Sequence, residues 1–487
     1  MLIGVMSAYT GSAARRRPQR LAATDLAVLW PEDHGWPQDI GLLAILDATA
    51  LRDADGRFRI DAVRRHVAGR LDALPARFRK RLVRPPVGLG GPYWADHVDV
   101  DVTAHVHEVP VPAPGDQAAL LATCEQLRRR GLNRTRPLWQ LAFLTGLGDG
   151  RVAMLLQVHH CVVDGISGIV AFAAFVDTAN DVAAAHDAGR MPAAANTTAG
   201  GGPTPAPSSA ALLSDALRRH ARRPVGLLSV LAHPTAAWTR VRDDMRGWRA
   251  GMGGRPTART SLNRGPVGAD RRLALIRGDL AQIKAVAHAH DATVNDVLLS
   301  AVAGGLRALL TARGEPVDEL VLRAAVPVAL HRDNDAAPAE GNADGGLLLD
   351  LPVGEPDGRV RLRRIAAHSA ERKRTAIMPG ATHGAFATPL AQRLLIRLTA
   401  HQTMSNTYIA NVPGPPVRLS IAGAPILEMF PVVPLIGNIS VGVGALSYAG
   451  QFNLTVVADY DTCPDIDVAA AGIGDALTAM GAVPSAP

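Results

Sequence analysis

The stretch that most constrains this chain is Val152 to Val158, a nearly continuous apolar run that stops at two adjacent histidines, His159 and His160. An apolar run of strand length predicts a strand covered on both faces, hence one at the centre of a sheet. Cys161-Val162-Val163 and Asp164-Gly165 follow, and then Ile166, Ile169, Val170 and Ala173 at helical spacing, so the region reads as strand, turn and helix. Neighbouring side chains on a strand face opposite ways, so only one of the two histidines can address a given cavity. An imidazole at a strand end, with an ordinary pKa near 6.5, can be neutral at working pH and take a proton from an alcohol. Asp164 stands where helix capping and the macrodipole favour a carboxylate and is expected to brace the loop, while Gly165 allows close backbone approach.

Other chemistries fit less well. A lone histidine is most often structural, and two histidines with an aspartate could ligate zinc. Adjacent strand histidines diverge, however, and no H-E-x-x-H or further His/Cys spacing accompanies them, so no metal is expected. A serine hydrolase would need a G-x-S-x-G elbow, and Gly165-Ile166-Ser167-Gly168 lacks that spacing.

The 487 residues leave room for two or three domains. Residues 1–20, rich in Ala, Arg and Pro, are expected to be disordered. Because Arg15-Arg16-Arg17 follows the apolar start, no cleaved signal is expected. Residues 21–180 mix strand-like and helix-like segments: Leu42 to Leu46 reads as a strand, and Ile60, Val63, Val67 and Leu71 recur at helical spacing. Residues 181–270 begin as an Ala, Gly, Pro, Ser and Thr linker and continue as a basic, partly amphipathic stretch, Leu212 to Arg249. That stretch reads either as a solvated crossover helix or as a surface that rests on anionic lipid. Residues 271–487 again alternate helices and strands. Met429 to Ala458 carries no charge, but its prolines, its polar residues and the alternation of Ile439, Val441 and Val443 with Ser440, Gly442 and Gly444 predict two strands joined near Ala449-Gly450, with no membrane span. Cys124, Cys161 and Cys463 form no spaced pair, which fits a reducing cytoplasm. The net charge of +7 favours anionic partners. Nucleic acid is not expected among them, since aromatics are few and no recognised motif is present.

The H-H-x-x-x-D-G pattern at His159 to Gly165 resembles the signature of the CoA-dependent acyltransferase superfamily. Further segments narrow the resemblance to the bacterial wax ester synthase/diacylglycerol acyltransferase family: Pro137-Leu138-Trp139 with Gly146-Leu147, Thr293-Val294-Asn295-Asp296-Val297 leading to Gly304-Gly305-Leu306-Arg307, and Val326-Pro327-Val328 with Gly341-Asn342 and Leu351-Pro352. Asn411-Val412-Pro413-Gly414-Pro415 and Ser447-Tyr448-Ala449-Gly450 complete the series, which spans about Asp25 to Asp465 in the family's order.

The resemblance implies an α/β protein of two chloramphenicol-acetyltransferase-like domains, each a mixed sheet flanked by helices, joined by a long crossover linker, with the site in a channel between them. It implies transfer of a fatty acyl group from acyl-CoA to diacylglycerol or a long-chain alcohol, with acyl-CoA as cosubstrate, no cofactor, and peripheral contact with membrane or lipid droplet. His160 would be the general base, His159 its supporting neighbour, Asn295 and Asp296 would sit beside the site, and Pro137, Leu138 and Trp139 would support substrate binding. Thr293-x-x-Asp296 also reads as a capping box, and Pro137-Leu138-Trp139 as core packing. The Asn411 to Pro415 turn reads as structural, with Gly414 supplying unusual dihedrals. Two departures stand out: Ala410 where many relatives carry a hydroxyl, and Cys161, which is expected to alter the channel wall. The missing D-F-G-W-G signature argues against a chloramphenicol-type or condensation-type enzyme. Rival readings are a sterol-like or polyketide diol acceptor, and a non-catalytic lipid-binding protein on the same fold.

Overall fold

Apolar strands such as Val152–His159, buried at all eight positions, must be covered on both faces, and the computed structural model builds two six-stranded mixed sheets around such strands. It describes residues 19–85, 91–97, 99–163, 165–177, 256–329, 344–375 and 389–482, with scattered positions between 208 and 242. The linker and most of the basic stretch expected at 181–270 lie outside the described residues, as do residues 1–18.

In chain order the strands are β1 (Gln19–Arg20), β2 (Asp39–Leu46), β3 (Lys80–Val83), β4 (Tyr93–Asp96), β5 (Val106–Pro110), β6 (Trp139–Thr145), β7 (Val152–His159), β8 (Arg271–Ile276), β9 (Leu322–Ala329) and β10 (Asp344–Leu351). They continue with β11 (Thr407–Pro413), β12 (Ser420–Ile421), β13 (Ala424–Val432), β14 (Val441–Tyr448) and β15 (Gln451–Asp459). The first large sheet has the order β12-β13-β2-β7-β6-β5 and the second β10-β9-β11-β14-β15-β8, while β1, β4 and β3 form a small third sheet. β7 is flanked by antiparallel β2 and β6, with Asp39 opposite His159 and Trp139 opposite Val158.

The helical spacing from Ile60 produces a helix, Ile60–Ala68, that buries Val63 and Val67. It stops at Gly69, and Leu71 opens a separate 3₁₀ turn, Leu71–Ala73, so the periodicity runs past the helix end. The hairpin expected near Ala449-Gly450 is present: β14 and β15 pair antiparallel from Val441↔Ala458 to Tyr448↔Gln451. Its two turn residues have φ of 46° and 88°, the left-handed pair of a type I′ turn, which glycine at Gly450 meets without strain.

Sheet membership does not follow chain order. β13, from the second half, pairs antiparallel with β2 and so becomes part of the first sheet, with Phe430 opposite Leu43 and Val432 opposite Gly41. Residues 433–440 then return the chain to β14. Buried ion pairs and polar contacts lie where the halves meet: Arg128 Nε donates to Asp39 at 3.0 Å, Arg271 lies 3.5 Å from Asp459, and Trp36 Nε1 donates to the Val267 carbonyl at 3.0 Å.

Among the described residues one helix, Val294–Ala312, is long and apolar enough to cross a membrane. Two thirds of it (67%) is buried, and it packs against the helix Ile466–Met480, which makes it the core helix of the second half.

Candidate active site

Strand alternation decides the geometry. Leu156, Val158 and His160 turn to one side of β7 and line an apolar cavity of about 120 Å³ between the two large sheets. Ile40 and Leu42 extend the same wall, and Tyr408, Ala410, Val412 and Leu446 supply the opposite one from β11 and β14. His160 and Tyr408 are the polar side chains of this wall among the described residues.

Gln157 and His159 turn to the other face. Gln157 Nε2 donates to Asp39 at 3.2 Å and its Oε1 accepts from Gln140 at 2.6 Å. His159, 1% exposed, places Nε2 2.9 Å from Glu32 Oε2, and its Nδ1 receives the Cys161 N–H at 3.1 Å. Arg134 binds the same Glu32 oxygen at 2.7 Å. Burial alone would raise the Glu32 pKa, but hydrogen bonds and charge from His159 and Arg134 hold it at about 2. Burial likewise opposes a charge on His159, and the Cys161 and Glu32 side chains outweigh it, placing its pKa above the ordinary histidine range. The Cys161 N–H aimed at Nδ1 pulls the other way, since it needs a lone pair there. The Glu32 carboxylate, 2.9 Å from Nε2, sets the direction upward. In either protonation state Nε2–H donates to Glu32, and that bond fixes the ring.

The turn that carries His160 is held at three further points. The His160 N–H donates to the Gln38 carbonyl at 2.9 Å, one step beyond the regular ladder. Val162 N–H closes the turn on the His159 carbonyl at 2.8 Å. Arg77 donates to the Cys161 carbonyl at 2.7 Å while gripping Asp25, which is fully buried, with two bonds of 2.9 and 3.0 Å. Glu32, Arg77, Asp25 and Tyr408 carry no local motif. Glu32 stands 127 residues before His159, so nothing in the spacing announces the pair.

The other expected site residues divide. Gly165 opens the helix Gly165–Phe175, and Asp164 lies outside the described residues. Pro137, Leu138 and Trp139 are buried in the core behind the cavity. The Leu138 carbonyl accepts the His159 N–H at 3.0 Å, and the Trp139 ring stacks on His105 at 4.4 Å and donates to the Phe78 carbonyl at 2.9 Å. Asn295 and Asp296 are not in the cavity wall. Asp296 closes the capping box, accepting from the Thr293 N–H at 2.9 Å and its hydroxyl at 2.7 Å. Cys161 is fully buried in the core and does not line the cavity, whereas Ala410 does. Gly414 does not adopt a positive φ. It is needed for room, because a Cβ there would lie 2.3 Å from the Ser447 carbonyl oxygen. Among the described residues no group of His, Cys, Asp and Glu could hold a metal ion.

Residues 21–298 match the wax ester synthase/diacylglycerol acyltransferase catalytic domain, and residues 340–481 match the C-terminal domain of the same proteins. The chain belongs to this family. A probable diacylglycerol O-acyltransferase of Mycobacterium tuberculosis is 32% identical over 416 residues, covering 84% of this chain and 85% of the relative. A second, putative one from that organism is 29% identical and covers 94% of this chain and 89% of its own. The wax ester synthase/diacylglycerol acyltransferase of Marinobacter aquaeolei VT8 shares the fold with a TM-score of 0.64 at 22% identity, over 95% of this chain and all (100%) of that one. The first condensation domain of the calcium-dependent antibiotic synthetase shares it with a TM-score of 0.57 at 15% identity, over 96% of each chain. As a member of the wax ester synthase/diacylglycerol acyltransferase family, the protein is an acyltransferase that moves acyl groups from acyl-CoA to an alcohol.

Proposed function

We propose that this acyltransferase acylates a lipid alcohol, diacylglycerol first, and that His160 is the general base. The observation that carries the reading is the cavity: His160 faces a wall otherwise built of apolar side chains and one tyrosine, with no charged group among the described residues. Such a wall suits a long-chain acceptor that is mostly hydrocarbon and presents an uncharged hydroxyl, and burying apolar surface at about 25 cal/mol per Å² supplies the affinity. The names of the Mycobacterium relatives point the same way.

In the proposed reaction, neutral His160 removes the hydroxyl proton as the alcohol oxygen attacks the thioester carbonyl. The tetrahedral oxyanion collapses, the C–S bond breaks, and the departing CoA sulfur takes the proton back from His160. The acyl group passes directly, since the described wall presents no serine, threonine or cysteine to hold it. His159 supports the base by fixing the turn, and Asp164 braces the loop. The two sheets serve as two acyltransferase domains with the channel between them, and the protein works at a lipid surface facing the cytoplasm.

Purified protein with palmitoyl-CoA and diolein is expected to yield triacylglycerol, with hexadecanol as the competing acceptor. His160→Ala should lower the rate by about 10²–10⁴-fold with the fold intact. Triacylglycerol formation by that variant at the parent rate would remove His160 from the mechanism. Product from hexadecanol alone would reassign the acceptor.

A further inference from the structure

The helix Pro389–Ala400 carries an exposed face that is not used in packing among the described residues. Leu394 and Leu398 are 58% and 59% exposed, the two leucines among the large hydrophobic side chains that stand in solvent. They are four residues apart, so they lie side by side on the helix. Arg393 and Arg397, also exposed and also four apart, run alongside them, and neither is paired with a carboxylate among the described residues. The helix holds no acidic residue at all. Its inner side is anchored: Ile396 and Ala400 pack into the cluster that contains Val433 and Leu435. Val433 and Pro434 of that segment line the cavity that His160 faces.

We propose that this helix is where the protein rests on an anionic lipid bilayer, Leu394 and Leu398 entering the acyl boundary and Arg393 and Arg397 meeting phosphate headgroups. The proposal rests on the lipid-acceptor reading above and adds the surface that serves it. Two leucines alone would suit a second copy of this chain equally well. The arginine row beside them selects a negatively charged surface, in keeping with a chain of net charge +7. The position matters too, because the segment against which the helix's inner side packs, at Val433, also lines the cavity.

The test is flotation of the full chain with phosphatidylcholine vesicles, with and without phosphatidylglycerol. The parent protein is expected to bind the vesicles that contain phosphatidylglycerol. Leu394→Asp with Leu398→Asp should lower that binding by on the order of tenfold or more. Arg393→Gln with Arg397→Gln should lower it by on the order of tenfold, on phosphatidylglycerol vesicles alone. Transfer from hexanoyl-CoA to hexanol, both dissolved in water, is measured on the same preparations and should be unchanged in both variants. Vesicle binding by the leucine variant equal to that of the parent overturns the proposal. So does a parent that floats with neither vesicle, or a leucine variant that changes from dimer to monomer while still binding lipid. A parent with no transfer to hexanol or to diolein sinks the lipid-acceptor reading instead, whatever the vesicles show.

Discussion

His159 and His160 are one position apart and have different work to do because a strand sends them to opposite faces. His160 looks into the cavity, and His159 anchors the turn through Glu32. Glu32 has its pKa lowered from 4.5 to about 2, so the stability it contributes is present above about 4.5 and is lost as pH falls toward 2. The opposite sign holds for His159, whose raised pKa contributes below its ordinary value near 6.5 and is lost as pH climbs toward about 10. Glu32→Gln should therefore cost on the order of 2 kcal/mol in urea unfolding at pH 6, with the gap to the parent narrowing as pH falls from 4.5 toward 2. A gap that stays constant with pH would show that the pair is not ionised. At the other anchor, Arg77→Ala leaves Asp25 buried without its partner and should cost about 3–5 kcal/mol. Arg77→Lys keeps the charge but cannot grip both carboxylate oxygens and the Cys161 carbonyl together, so kcat should fall with KM little changed.

Among the elements, the ones with a strong local period were legible beforehand. β7 could be read from its apolar run, and the hairpin of β14 and β15 from its alternation and its Ala449-Gly450 turn. The sheet to which β13 belongs could not, because its partner β2 lies hundreds of residues earlier and the strand pattern says nothing of whom it pairs with. The same holds for Glu32 with His159 and Arg77 with the Cys161 carbonyl, which are pairings made by the fold rather than by spacing. The capping box at Thr293 and Asp296, a local motif, formed as its spacing implied. The Asn411 to Pro415 turn was legible as a turn, but the reason for its glycine was not, since it depends on β11 lying close to β14. Gly414→Ala should accordingly push the end of β11 away from Ser447 and cost about 1–3 kcal/mol, read as a lower urea midpoint.

For the molecule as a whole, the cavity belongs to neither half, since one wall comes from the first sheet and the other from the second. Ala410 stands in that wall and offers a way to measure its width. Ala410→Phe should depress transfer to hexadecanol more than transfer to hexanol, and equal losses for the two would place the long acceptor elsewhere. The placement of β13 has a mechanical consequence. Prising the halves apart like a clamshell would strip β13 from β2 or stretch residues 433–440, so this crossing opposes hinged gaping. On the proposed lipid-acceptor reading, long-chain molecules would have to thread their way to His160 past side chains that step aside one at a time, so transfer to hexanol is expected to be faster than transfer to hexadecanol.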